Sequence, residues 1–185
     1  MPDVYSAYLT RCEVPSDIQE YLPLLYGYVR LYEGCRVLEV GTREGNSTLA
    51  FLAAAQVVGG HVWSVDIDSG VPLNPDGMGP YADYPGWTFT CGDSTHPAVL
   101  AAQPDQVDIL FNDAGHMYDK TLEEIRAYMP RLAPGGTALF HDTRLGWDND
   151  GVRRALNVYC AQNSLTWRDL PGQFGMGVIT LERPG

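Results

Sequence analysis

The 185-residue chain predicts an α/β fold, a doubly wound and mostly parallel sheet of seven strands that closes on a C-terminal antiparallel hairpin. Short apolar runs alternate with helical stretches along the chain, the pattern of a parallel sheet covered on both faces. The runs themselves are apolar without alternation, as strands buried on both sides require. The last two runs are joined only by a short segment around Pro171-Gly172. Parallel neighbours need a crossover of a dozen residues or more, so this pair must be antiparallel.

Each element has a local reason. Residues 16–32 read as a helix that covers the core: Ser16 or Asp17 can cap it, and Ile18, Leu22, Leu25 and Val29 fall at helical spacing before Gly34 stops it. Residues 36–41 form a first strand ending on glycine, followed by an Ala- and Leu-rich helix over 46–57 that ends at Gly59-Gly60. Strands follow at 61–66 and 87–91, then a short helix over 95–103 and a strand at 107–112. Residues 118–132 are an amphipathic helix with Leu122, Ile125, Tyr128, Met129 and Leu132 on one side. Pro134-Gly135-Gly136 reads as a hard turn before a fifth strand at 137–141. A helix over 151–162 and strands at 165–170 and 176–182 complete a single domain spanning 1–185. Residues 68–86, rich in Pro and Gly, break the rhythm and read as either a mobile surface loop or a lid.

Composition narrows the function. The net charge is −11 and the pI about 4.6, which argues against nucleic acid and against anionic membrane surfaces as partners. No 18-residue apolar run and no signal-like N-terminus is present, so a cytoplasmic protein is expected. Cys12, Cys35, Cys91 and Cys160 have neither zinc spacing nor a disulfide framework, and read as reduced, buried or part-buried thiols.

Ligands of open parallel sheets bind beyond the carboxyl ends of the strands. After the first strand, Gly41 allows a tight turn, Gly45 lets backbone approach a ligand, and Ser47 opens a helix whose free N–H groups attract a carboxylate. Asp66 ends the second strand and can accept both hydroxyls of a ribose, while Asp93-Ser94 after the third can meet a base edge. The dinucleotide fingerprint is absent, since Thr42 and Arg43 follow Gly41. Instead Glu39 stands two residues before that glycine. A ligand with a free amine and a carboxylate but no pyrophosphate suits this arrangement, and S-adenosyl-L-methionine (SAM) fits.

The motifs VLEVGTREGNST (37–48), VWSVDID (62–68), DILFNDAGH (108–116) and RLAPGGTALFHDT (131–143), with PSDIQEYLPLLY (15–26) and GVRRALNVY (151–159), resemble a known family. The chain is similar to class I SAM-dependent methyltransferases of Rossmann-like fold. Within them it resembles the small bacterial proteins that include macrocin O-methyltransferase-like and cephalosporin-hydroxylase-like members, and more distantly catechol O-methyltransferase. The resemblance implies that Glu39, Gly41 and Ser47 contact the methionine part, with Thr42, Gly45 and Asn46 also in cofactor contact. It implies Asp66 and Ile67 at the ribose, Asp93 and Ser94 near the adenine, and Asp113 touching both cofactor and acceptor. Arg43 replaces a glycine common in class I enzymes and is expected to point away from the cofactor.

The fourth and fifth strands end at Asp113 and Asp142, which neighbouring strands would bring together. Two carboxylates side by side repel unless a proton or cation lies between them, and a hard divalent ion such as Mg²⁺ takes oxygen ligands of this kind. The resembled family holds a metal there. His141 is a candidate third ligand that would shift preference towards Mn²⁺, or else a side chain facing away. His116, three residues after Asp113, matches the position where catechol-type enzymes carry a lysine base, and an imidazole can take a hydroxyl proton near neutral pH. A cap for the following helix is the alternative, and the helix N-terminus is expected to depress its pKa. His61 and His96 read as surface residues.

The expected activity is methyl transfer to a small hydroxylated molecule such as a sugar, phenol or natural product, assisted by a divalent metal. A metal-dependent hydroxylase and a non-catalytic SAM-binding protein are the alternatives. Trp147 and the 68–86 loop are candidate walls of the acceptor pocket, and the N-terminal helix is a candidate element for a homodimer.

Overall fold

The computed structural model describes residues 3–146 and 150–183. Seven strands form one sheet: β1 (Arg36–Val40), β2 (His61–Asp66), β3 (Trp87–Cys91), β4 (Val107–Asn112), β5 (Leu132–His141), β6 (Arg168–Leu170) and β7 (Met176–Thr180). Their order is β3-β2-β1-β4-β5-β7-β6. The first five pair in parallel, and β7 runs antiparallel to both β5 and β6. The order reverses between β1 and β4, so the chain ends of these strands open a crevice at the switch point.

The helices are α1 (Val4–Glu13), α2 (Leu22–Val29), α3 (Asn46–Val58), α4 (Pro97–Ala101), α5 (Tyr118–Tyr128) and α6 (Gly151–Asn163). Two hydrophobic clusters cover the two faces of the sheet. One joins α1, α2 and α3 to Val37, Val62, Ile109, Phe111 and Leu139. The other joins α5 and α6 to Leu38, Val40, Val65, Leu110, Ala138 and Phe140. Alternate residues of each central strand thus face opposite clusters, and both sets are apolar. That is why no polar alternation marks these strands in the sequence.

The structure differs from the expected one at four places. The helix over 16–32 is a 3₁₀ turn at Gln19–Tyr21 followed by the short α2, because Pro23 can sit only in a first turn. A separate helix, α1, precedes it, capped by Asp3, whose carboxylate accepts from the Tyr5 and Ser6 amides. Pro134-Gly135-Gly136 lies inside β5 as a bulge: Val107 pairs with Leu132, but Ile109 pairs with Thr137. Residues 68–86 carry local structure rather than an open loop. They fold into 3₁₀ turns at Val71–Leu73 and Gly79–Tyr81, and Val71 and Met78 are buried in the α1–α3 cluster. Met78 occupies the space that a Cβ on Gly45 would fill, and Arg11 of α1 donates to the Asp76 carbonyl.

The four thiols are free as expected, although Cys91 is exposed rather than covered. Among the described residues, no helix is long and apolar enough to cross a membrane.

Candidate active site

An open cavity of about 680 Å³ lies over the ends of β1, β2, β3, β4 and β5. Among the residues that line it are Gly41, Asp66, Ile67, Asp93, Ser94, Asp113, His116 and Asp142, so most of the predicted site converges on one space. A small recess beside it is lined by Thr42, Asn46 and Ser47, with Gly41, Arg43 and Asp113 shared between the two.

The turn after β1 is set by its glycines. Gly41 has φ +93°, and a Cβ there would run into the Asp113 carbonyl, so only glycine lets the β1 and β4 ends approach. Gly45 has φ +79° and begins α3 without any side-chain cap. The first amides of α3 are therefore left for a ligand or solvent. Asp66 locks this turn: its Oδ2 accepts from the Thr42 amide at 2.7 Å and the Arg43 amide at 2.8 Å. Arg43 pairs with Asp17 at 2.6 Å, and both residues line the cavity and the recess.

Glu39 does not line the cavity. It is fully buried, and its carboxylate accepts from Ser47 Oγ, Thr48 Oγ1 and Ser64 Oγ, each at 2.6 Å. Ser64 in turn accepts from Trp87 Nε1 at 2.9 Å. Glu39 thus ties the first turn of α3 to β2 and β3 from below and holds the turn that faces the cavity. Burial pushes its carboxyl up to about 7 against the lowering effect of the three hydroxyls. Ser47 likewise spends its hydroxyl on Glu39.

At the β3 end, Asp93 is exposed and accepts from Lys120 Nζ at 2.5 Å and from the Thr95 amide and hydroxyl. The Lys120 hydrogen bond, with those from Thr95, holds its carboxyl at about 2. Ser94 is buried and donates to Glu124 Oε1 at 2.6 Å. Glu124 is the residue that sequence reasoning missed. It sits at a buried position of α5 with ordinary helical spacing, so only the meeting of α5 with the β3 and β4 ends reveals it.

The chemical end holds three acid–histidine contacts. His141 Nδ1 lies 3.1 Å from Asp113 Oδ1 and 3.3 Å from Asp142 Oδ1. His116 Nε2 lies 2.9 Å from Asp142 Oδ2. Asp142 reaches this position through a left-handed backbone, φ +64°. His141 therefore faces inward. Burial opposes its charge, but Asp113 and Asp142 outweigh that and push its pKa up to about 10. The expectation that the helix end depresses His116 is overturned: its hydrogen bond to Asp142 raises it. His116 precedes α5, whose first residue is Tyr118, so the acid in contact outweighs the helix. Asp142 is lowered by the two histidines despite its burial, whereas burial raises Asp113.

Asp113, His141 and Asp142 present ligand atoms within 4.8 Å of one another. This group contains one histidine, and His116 stands beside it, 2.9 Å from Asp142. None of residues 68–86 lines the cavity, so that loop does not wall it. Trp147 lies outside the described residues.

Residues 38–143 match the family model described as a methyltransferase domain. The chain belongs to this methyltransferase family. Its fold, with the antiparallel β5-β7-β6 edge, is that of class I methyltransferases. Among solved structures it is similar to an O-methyltransferase from Bacillus cereus in complex with SAH (S-adenosylhomocysteine), with a TM-score of 0.73 and 16% identity over 98% of this chain and 93% of that one. It is similar to TomG from Streptomyces achromogenes in complex with SAM, with a TM-score of 0.74 and 16% identity over 98% and 91%. MycE, in complex with Mg and SAH, has a TM-score of 0.68 and 18% identity, covering 98% of this chain and 55% of that one. No curated protein matches the chain in sequence.

Proposed function

We propose that this methyltransferase moves the methyl group of SAM to the oxygen of a small hydroxylated molecule, with a divalent ion, Mg²⁺ or Mn²⁺, at Asp113, His141 and Asp142. The observation that carries the reading is the convergence, in one cavity, of the Gly41 turn, Asp66 and the His116–Asp142 pair. Two O-methyltransferases of the same fold, one with SAH and one with SAM, and the methyltransferase MycE, with Mg and SAH, support it.

The residues fit the cofactor. Thr42 Oγ1 and Asn46 Oδ1 are buried without partners, and both residues line the small recess beside the uncapped start of α3. An amino acid moiety offers donors to those oxygens and a carboxylate to the α3 amides. The Asp66 carboxylate lies at the strand end, where ribose hydroxyls can donate to it. The metal ligands fit as well: two carboxylates and one imidazole nitrogen already converge, and an ion there would displace any proton that nitrogen carries.

When bound, the ion supplies positive charge that lowers the pKa of an acceptor hydroxyl, and SAM supplies an activated methyl. The protein's own part is proton acceptance and positioning. His116 lines the cavity and takes the hydroxyl proton on its imidazole, while Asp142, paired with Nε2, accepts from that nitrogen and orients the ring. The cavity walls would position the acceptor oxygen against the methyl, which makes positioning the main contribution.

Calorimetry with SAM, with and without Mg²⁺ or Mn²⁺, followed by transfer of labelled methyl to a panel of phenols and sugars, tests the reading. SAM binding and metal-stimulated transfer are expected. SAM binding with transfer that ignores both metal and chelator would remove the ion from the account.

A further inference from the structure

The small recess beside the main cavity is closed. It measures about 10 Å³. A single water already needs roughly 10–15 Å³ of such space. Yet the unpartnered oxygens of Thr42 and Asn46 belong to its wall, beside the uncapped start of α3. An amino acid moiety is seated there only if part of the wall moves.

Some of that wall is fixed. Thr42 and Ile18 are each 3% exposed, and Gly41 packs against the Asp113 carbonyl. Asp17 and Arg43 differ, because their side chains keep 38% and 59% of their surface in solvent. Asp17 comes from the segment between α1 and α2, Arg43 from the turn between β1 and α3, and they meet at 2.6 Å. Both line the recess and the main cavity, so the ion pair stands where the two spaces join. Arg43 holds a left-handed backbone, φ +45°, a conformation that favours glycine. Its amide is tied to Asp66, so the side chain can swing while the backbone stays. A long cation kept where the backbone favours glycine implies a task for its side chain.

We propose that the Asp17–Arg43 ion pair is an autoinhibitory latch, which closes the recess in the free protein and must part before the amino acid end of the cofactor is seated. This rests on the SAM reading above and adds to it a step that the protein's own charges control. The latch competes with the ligand, so its strength is subtracted from the affinity. An exposed ion pair is weak and screened by salt, which keeps the latch easy to open.

The test is calorimetry and stopped-flow binding of S-adenosylhomocysteine. This ligand has no sulfonium charge and its amino acid end is a zwitterion, so a change in the protein's net charge has little direct effect on it. Asp17→Asn and Arg43→Gln should each bind it about 2- to 5-fold more tightly than the parent, the span of an exposed ion pair, through faster association. The double variant should gain no more than either single one, because either change already opens the latch. Raising NaCl from about 0.05 to about 0.5 M should tighten binding to the parent and leave the variants unchanged. Weaker binding in either variant would make these residues ligand contacts, and unchanged binding would leave them a surface pair; both results overturn the latch. Absence of S-adenosylhomocysteine binding to the parent would instead overturn the SAM reading itself.

Discussion

His116 Nε2 sits 2.9 Å from Asp142 Oδ2, so the imidazole proposed as base is paired with an acid on the next strand end. The pairing raises the pKa of His116 above the ordinary 6.5. In the metal-free protein, NMR titration should place the His116 midpoint above that value. Asp142→Asn should move it down, because the neutral amide no longer favours the charged ring. A parent midpoint at or below 6.5 would contradict the pairing.

Metal binding should be strongly pH dependent. His141 Nδ1 lies between two carboxylates, with its pKa pushed up to about 10, and a ligating nitrogen must first lose its proton. Below that pKa each unit of pH changes the neutral fraction about tenfold, so Mn²⁺ affinity should rise steeply between pH 7 and 9. Asp113→Asn and Asp142→Asn should each abolish binding. Neither should stabilise the metal-free protein, since each acid is already partnered by histidine rather than opposed by its neighbour. Titrations that are flat with pH would take His141 out of the ligand set.

Asp66→Ala should weaken SAM binding by about 1–3 kcal/mol, the range for hydrogen bonds to a charged group. Part of that loss comes from the turn, because Asp66 also holds the Thr42 and Arg43 amides. An unchanged affinity in a folded variant would remove Asp66 from the ribose.

Asp169 on β6 clasps the segment after β5, accepting from Thr143 Oγ1 at 2.6 Å, Arg144 Nε at 2.8 Å and Arg153 Nη2. Burial raises its carboxyl, but these partners outweigh that and hold it below the usual value. A depressed folded-state pKa gives stability that is present above the unfolded value near 3.9 and is lost as pH falls through the folded one. Asp169→Asn should therefore cost about 1–2 kcal/mol at pH 7, modest because the arginines are part exposed. In urea unfolding the gap from the parent should close towards pH 2. A gap independent of pH would mean that packing, not charge, holds the clasp.

Much of this was legible in the sequence. The strands at 61–66, 87–91 and 107–112 have the bounds expected of them, because apolar runs framed by Gly, Asp and Pro leave little choice. Gly41, Asp66, Asp113, His116 and Asp142 could be placed because strand ends in a parallel sheet share one edge. What stayed hidden depends on contacts between distant elements. The packing of Met78 over Gly45, the burial of Glu39 under its hydroxyls and the link from Ser94 to Glu124 leave no periodic trace. The bulge at 133–136 was hidden for a different reason: Pro-Gly-Gly normally ends a strand, and here β5 continues beyond it.

The central claim is that the strand ends build one site in which a methyl donor and a proton acceptor meet. The most direct measurement is labelled methyl transfer from SAM to a competent acceptor by the parent and by His116→Ala, with SAM affinity measured in parallel. The account predicts that the variant keeps its SAM affinity and loses about 10²–10⁴-fold in turnover, the usual contribution of a positioned base. A variant that retains the parent's turnover would leave His116 as no more than a partner for Asp142 and contradict the account.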